Sequence, residues 1–358
     1  MRAAPPQLRR DKVTRVVANT QPQSRPLISV LIAVRGESTE LVECLASLSA
    51  QTYPHDRFEV LLAAASDKPI DPASLPRDID VHVYPNPALF MGPGVNMVAG
   101  HAQGDYVAIP SAHSAMPPGY LDRMVVTILA TGATNVGTRI RKVAHSAWGK
   151  AIAAATSSPF GVGSSVQHHG TVAGPAESAF PTFMPRDRFL ELGGFDTRLS
   201  YNQDDDFNAR LLASGGVVWY EPAVEVVYRP RETLRTLFRQ QFRYGRWKVA
   251  VARLGVPGYM RPRHAVPSLV VVGAVVGPIA SALWHPLAIP TAIAAVAYCS
   301  LAVIEGRRMS GAYAAATWRT ALVFPVVHAA YGLGFLRGLL DRSLPAERDA
   351  KAAPKVGP

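Results

Sequence analysis

Two long stretches without a single charge constrain this chain more than any other feature. Residues 265–283 and 287–304 are uncharged and apolar. As a helix, each is long enough to cross ~30 Å of hydrocarbon. Trp284, His285 and Pro286 form a tight hairpin between them. A third stretch, 320–336, is weaker, because Pro325 and His328 interrupt it and arginines flank it. Arg261 and Arg263 precede the first span, and Arg307 and Arg308 follow the second. The positive-inside rule then puts the preceding domain in the cytoplasm and the Trp284 hairpin outside. A third crossing would export Arg337, Arg342 and Arg348, so the third stretch is expected to lie at the interface or re-enter. The competing reading, two core helices of a large soluble protein, is disfavoured by the run lengths. The expected location is the cell membrane, multi-pass.

The preceding residues follow a different rhythm. Residues 27–34 are a short, nearly continuous apolar run, which reads as a strand buried on both faces of a parallel sheet. Residues 38–50 have helical spacing, with Leu41, Cys44, Leu45 and Leu48 on one side and Ser38 or Thr39 able to cap the start. Residues 58–63 predict a second strand, 81–84 a third, 93–103 a helix and 106–110 another strand. Strand, helix, strand at this pace is a doubly wound α/β domain. Ligands bind such sheets beyond the carboxyl ends of the strands. The informative residues are therefore Arg35, Gly36 and Glu37, then Ala64 to Asp67, then Ser111, Ala112 and His113.

Charge narrows the partners. The net charge of +11 asks for an anionic one: nucleic acid, a phosphate-bearing substrate or a lipid surface. Residues 229–248 carry Arg229, Arg231, Arg235, Arg239, Arg243, Arg246 and Lys248 among Leu234, Leu237, Phe238, Phe242 and Trp247. That pattern predicts a basic amphipathic helix on a membrane surface just ahead of the spans. The adjoining apolar runs argue against nucleic acid. Residues 1–25 lack the apolar core of a signal peptide. They read as a loose basic arm, drawn to anionic lipid or simply solvated. Two cysteines, Cys44 and Cys299, exclude a disulfide scaffold and a Cys-rich zinc site, and suit a reducing compartment.

The sharpest local signal is Asp204-Asp205-Asp206 after Asn202 and Gln203, opening a helix over 207–212. Three successive carboxylates repel, so a cation, an arginine or a proton-accepting task must hold them together. Favourable contact with the helix dipole is the structural alternative. Residues 157–164 are a Gly/Ser loop able to line an acceptor cleft or merely to flex. His168 and His169 follow it, as ligands or surface histidines. Gly334 and Gly338 are spaced for close helix packing.

The ordered series PLISVLIAVRGE, QTYPHDRFEVLL, GVNMVAGHAQGDYVAI, GGFDTRLSYNQDDDFNARLLASGG and QFRYGRWKV resembles family 2, inverting, GT-A-fold glycosyltransferases. Within them it is most similar to the membrane-bound ExoA-like branch of succinoglycan biosynthesis, over roughly residues 26–340. The resemblance implies an α/β GT-A nucleotide-diphospho-sugar transferase fold with C-terminal transmembrane helices. It divides the chain into a basic arm (1–25), a catalytic domain (26–228), a basic interfacial segment (229–263), a membrane region of two or three helices (264–340) and a flexible tail (341–358). It further implies that Glu37 and Asn96 lie near the nucleotide and that Asp204 is the general base, with Gln203 in place of the family's Glu. Asp205, Asp206, Arg210, Gln241, Arg243, Arg246 and Trp247 fall with Gln203 on the acceptor and diphosphate side. Arg246 and Trp247 are equally suited to anchor at headgroup level.

The family pattern breaks at two places. The Asp that holds the base after the second strand is missing or displaced to Asp67. The Asp-Ala-His expected after Ile109 reads Ser111, Ala112, His113. A hydroxyl is a poorer ligand than a carboxylate for a hard divalent cation. Three readings stay open. Arginines neutralise the donor diphosphate, with Arg243, Arg246 and Lys248 as candidates. Or His113 holds manganese or magnesium with help from Asp204 or Asp206, although His113 also suits an ordinary loop histidine. Or catalysis is lost. The expected function is transfer of a sugar from a nucleotide-diphosphate sugar to a lipid-linked or saccharide acceptor at the cytoplasmic face, with a divalent metal as the only candidate cofactor and no organic one. The alternative is a catalytically silent, glycosyltransferase-like binding subunit. A transporter is disfavoured by the absence of internal symmetry and buried charge in the spans.

Overall fold

The computed structural model of the protein describes residues 25–345. The expected arm over 1–25 (Arg25 apart) and residues 346–358 of the expected tail lie outside the described residues. The chain begins β1 (Ile28–Val34), α1 (Thr39–Ser49), β2 (Phe58–Ala65), β3 (Asp80–Asn86), α2 (Met91–His101) and β4 (Tyr106–Ile109). It continues through β5 (Ser114–Ala115), α3 (Tyr120–Thr131), β6 (Asn135–Lys142), α4 (Ala147–Ala155), α5 (Pro159–Val162) and α6 (Val166–His169). Then come β7 (Gly174–Pro175), β8 (Thr182–Pro185), α7 (Arg186–Glu191), α8 (Gln203–Ala213) and β9 (Val218–Tyr228). Four long helices close it: α9 (Leu234–Arg253), α10 (Val266–Leu283), α11 (Ala288–Ser310) and α12 (Thr317–Leu340).

The early expectations hold within a residue or two. Ser38 caps α1, its hydroxyl accepting from the Leu41 amide at 3.2 Å. The strands form one sheet in the order β3-β2-β1-β4-β8-β6-β9-β5, with β7 on β9. β3, β2, β1 and β4 run parallel, and β8 is antiparallel to both β4 and β6. β6 and β9 are parallel to each other, so they regain the direction of β1. The carboxyl ends of β1 to β4, β6 and β9 therefore meet at one rim. Both faces of the first strands are buried, as apolar runs require. Ile28, Val30 and Ile32 pack with Leu41, Leu45 and Met124 on one face. Leu31 and Leu61 pack with Val95, Phe189 and Phe207 on the other.

The C-terminal third departs from expectation in three ways. First, the basic helix begins at Leu234 rather than Arg229. Pro230 cannot sit inside a helix, and the Thr233 side chain caps α9 by accepting from the Thr236 amide. Arg229 and Arg231 are thereby left in the loop at the rim. Second, residues 341–345 are not a loose tail. Arg246 donates to the Asp341 carboxylate at 2.8 Å, Arg253 donates to the carbonyls of Gly338 and Leu339 at 3.0 Å, and Leu344 is buried with Leu199, Ala250 and Tyr259. The Ser343 hydroxyl and amide, with Arg246, pull the Asp341 carboxyl down to about 2.

Third, α12 differs in kind from α10 and α11. All three are long and apolar enough to cross a membrane, but the windows of α10 and α11 are 6% buried within the protein and that of α12 is 44% buried. Val323, Phe324 and Val327 of α12 pack with Ala151, Ile152 and Ala155 of α4 and with Leu237 of α9. The α9 and α12 backbones touch through glycine. A side chain at Gly245 would strike the Tyr331 carbonyl, one at Gly334 the Phe242 carbonyl, and one at Gly338 would come within 2.8 Å of the Arg246 carbonyl. The spacing of Gly334 and Gly338 thus serves a helix of the preceding segment.

Candidate active site

The rim is assembled from four segments. The first is the turn after β1, where Glu37 accepts from the Asp71 amide at 2.8 Å and the Ser74 hydroxyl at 3.1 Å. Arg35 and Asp67 pair across this turn at 3.0 Å. The displaced acid Asp67 therefore stands at the rim beside an arginine. The second segment is Ser111 to His113, where the Ser111 hydroxyl accepts the His113 amide at 3.2 Å.

The third segment leaves β9. β5 pairs with β9 antiparallel, Ser114 opposite Tyr228 and Ala115 opposite Val227. The ladder stops there: residues 111–114 form a turn, the Ser114 amide donating to the Ser111 carbonyl at 2.9 Å, and residues 229–231 leave the sheet as a loop. Arg229 forks onto Glu43, with Nε to Oε2 at 2.9 Å, and also meets His145 at 2.9 Å. Glu232 accepts from the amides of His145 and Ser146, each at 3.1 Å, at the start of α4. Arg231, between them, is exposed and has no ion pair or hydrogen bond among the described residues. The His113 imidazole is lowered by the atoms crowding it and further by Arg231, while Glu40 opposes.

The fourth segment is the amino end of α8. Asn202 sits in the left-handed region (φ 61°) and donates to the Tyr244 carbonyl of α9 at 3.2 Å. Asn tolerates that conformation better than most residues. Gln203 lies against Gly92, the second residue of α2, where an added Cβ would be 3.7 Å from Gln203 Cγ. Because α2 starts beyond β3, this contact fixes the α8 start at the ligand-facing rim. Asp204 follows, half-buried. Burial first and Asp205 second push its carboxyl up to about 6, against the opposing Lys248. The half-buried Tyr244 phenol is raised, first by loss of water around it and then by Tyr228 and Asp204.

The other acids are spoken for. Asp205 is paired with Lys248 at 2.5 Å. Asp206 is 0% exposed and takes the Arg210 Nε at 2.9 Å, while Arg210 also donates to the carbonyls of Leu192 and Gly194 at 2.6 Å. Asp206 and Arg210 therefore anchor the loop before α8. Asn96 is likewise 7% exposed and exchanges both amide hydrogen bonds with the Phe195 backbone at 2.8 Å. It braces the same loop from α2.

α9 forms the floor. Arg243 donates to the Tyr201 hydroxyl at 2.6 Å. Trp247 packs on Tyr201, ring centres 6.4 Å apart, and Gln241 is half-buried on the same helix. Arg246 points to Asp341, away from the α8 start. Of the three cations expected to meet a diphosphate, Arg246 and Lys248 are thus engaged elsewhere and Arg243 is held by Tyr201. Sequence reasoning missed two cations at the rim. One is Arg231, hidden by extending the helix back through Pro230. The other is Lys142, the last residue of β6, 7% exposed, whose amine donates to the Thr156 hydroxyl at 2.9 Å and is pushed by burial down to about 7. A lysine ending a strand at the ligand-facing edge was the available signal for it.

Residues 29–158 match the family model for glycosyl transferase family 2. The succinoglycan biosynthesis protein ExoA of Rhizobium meliloti (strain 1021) is 31% identical over 260 residues, covering 72% of this chain and 77% of that protein. The dolichyl N-acetyl-alpha-D-glucosaminyl phosphate 3-beta-D-2,3-diacetamido-2,3-dideoxy-beta-D-glucuronosyltransferase of Methanococcus voltae is 23% identical over 242 residues, 64% of this chain and 74% of that one. Among solved structures, the mannosyltransferase PcManGT from Pyrobaculum calidifontis, in complex with GDP-Man and Mn2+, aligns over 93% of this chain and 94% of its own at 18% identity, with a TM-score of 0.56. That likeness is one of fold.

Proposed function

The chain belongs to glycosyl transferase family 2, and from that premise we propose that it is an inverting transferase using a nucleotide-diphosphate sugar, with Asp204 as its base. One observation carries the reading: a carboxylate at the ligand-facing rim, half-buried, with its proton affinity raised towards neutrality. Inversion needs a single base to take the acceptor hydroxyl's proton as that oxygen attacks the anomeric carbon. The diphosphate departs from the opposite side with the electron pair of the broken bond. A base titrating near 6 is ionised at neutral pH yet strong enough to assist. Lys248 and Asp205 hold the amino end of α8 against α9, and Asn202 adds a second tie, so the base is fixed before substrate arrives.

The acceptor we propose is lipid-linked or a growing saccharide, reached from the cytoplasmic face. α9 supports this with Arg235, Phe238, Arg239 and Arg243 exposed along its length, a stripe suited to anionic headgroups. α10 and α11 would cross the bilayer. α12, half enclosed by α4 and α9, would lie beneath the catalytic domain at the interface, which keeps Arg337 and Arg342 on the cytoplasmic side. Ser111 favours the second reading, a silent binding subunit, and turnover decides between the two.

The test is the pH dependence of kcat with the full chain in detergent. The turnover should be flat above pH ~6.5 and fall tenfold per unit below about 6, as Asp204 takes up a proton. A profile that is flat down to pH 5 would remove Asp204 from the role. Absence of turnover with every donor would leave the binding subunit.

A further inference from the structure

We infer that the diphosphate of the donor is neutralised by Arg231, with His113 beside it as an uncharged hydrogen-bonding group, not by a tightly held divalent cation. The inference rests on the transferase reading and deepens it at the same rim. Divalent manganese or magnesium asks for carboxylate oxygens. After β4 the chain offers a hydroxyl, Ser111, which is already accepting the His113 amide, and one imidazole. Glu40, an acid whose charge reaches His113, is held at the start of α1 by its own backbone amide and the Ser38 hydroxyl. Among the described residues, the one group of three side chains spaced to share a cation is Glu59, Asp80 and His82. These stand at the amino ends of β2 and β3, the opposite edge of the sheet, and Glu59 is committed to the Ser29 hydroxyl at 2.5 Å and the Gln103 amide at 2.7 Å. The residues at the rim therefore do not fit the metal that the fold family implies.

They do fit an arginine. Arg231 lies three residues past Tyr228, which pairs with Ser114 at the end of the Ser111–His113 turn, and its charge acts on the His113 imidazole. Arg229 is consumed by Glu43, whereas Arg231 is exposed and has no partner among the described residues. A planar guanidinium binds two phosphate oxygens at once, and this charge is worth most on the oxygen that becomes anionic as the glycosidic bond breaks. The proton from the acceptor goes to Asp204, the sugar to the acceptor oxygen, and the new negative charge to the nucleoside diphosphate facing Arg231.

The experiment is calorimetric titration of the detergent-solubilised full chain with UDP, GDP, ADP, CDP and dTDP, each in EDTA and again in Mn2+. The nucleotide that binds should do so in EDTA, with less than ~3-fold tightening by Mn2+. Arg231→Ala should weaken that diphosphate by ~10–100-fold, the size of a lost charge-assisted contact, and the matching nucleoside by less than ~3-fold. Arg231→Lys should fall between. Because Arg231 is an exposed loop residue, unchanged thermal midpoints are expected for both variants. Binding that appears only with Mn2+, or an Arg231→Ala variant that binds like the parent, overturns the inference and leaves the transferase reading standing. Failure of all five nucleotides in both conditions overturns the transferase reading itself.

Discussion

Asp204→Asn should lower kcat by ~10²–10⁴-fold while leaving the thermal midpoint equal to or above that of the parent. The two halves of that result have one cause. The Asp204 carboxyl titrates near 6 in the fold against 3.8 when unhindered, chiefly because burial disfavours its charge. A group whose folded value is raised is a liability once it is ionised. Folding stability is highest below the unfolded value and declines between pH ~4 and ~6. Above that window the ionised group costs about 1–3 kcal/mol. An amide of the same shape removes that cost and the base together. Loss of turnover with loss of fold would point instead to a structural Asp204, and near-normal turnover would refute the base assignment.

Gly334→Val should be the most damaging single change outside the rim. Any Cβ at Gly334 drives into the Phe242 carbonyl of α9, and a backbone carbonyl inside a packed helix cannot step aside. Overpacking of this kind costs about 3 kcal/mol, or about 6–12 °C in thermal midpoint. Gly273, on α10, has nothing within 4 Å of its added Cβ, so Gly273→Val is the matched control and should be close to neutral. The effect should extend to function, since α9 also carries Tyr244 and Lys248, the two supports of the α8 start. Limited proteolysis between α9 and α12 would show the separation directly. A Gly334→Val protein as stable as its control would mean that α9 and α12 are not in backbone contact.

What the sequence disclosed and what it withheld follow the range of the forces involved. β1, β2, α1 and the apolar C-terminal helices were legible because their signals are local: apolar runs, one capping serine, uninterrupted hydrophobic length. β9 was not, since Pro222 in its middle reads as a strand breaker. The fold absorbs it with a register shift, Thr138 opposite Glu221 but Arg139 opposite Glu225. The acids at 204–206 were visible as a cluster, but their division of labour was not. Asp205 is answered by Lys248 from 43 positions away, and Arg246 by Asp341 from 95 away. Residue types show which groups can bear charge, whereas partners so distant decide which of them is left to do chemistry. Arg231 shows the same limit: only the folded chain brings its charge to bear on His113, 118 positions away.

Single-displacement transfer at a carboxylate-bearing rim inverts the anomeric carbon. The most direct measurement is the proton NMR coupling at the anomeric centre of the product, made by the purified full chain from the nucleotide sugar that the donor screen selects. One base and a departing diphosphate on opposite sides predict a product whose anomeric configuration is reversed relative to the donor. A product that keeps the donor's configuration would contradict the role assigned to Asp204 and require a different mechanism at this rim.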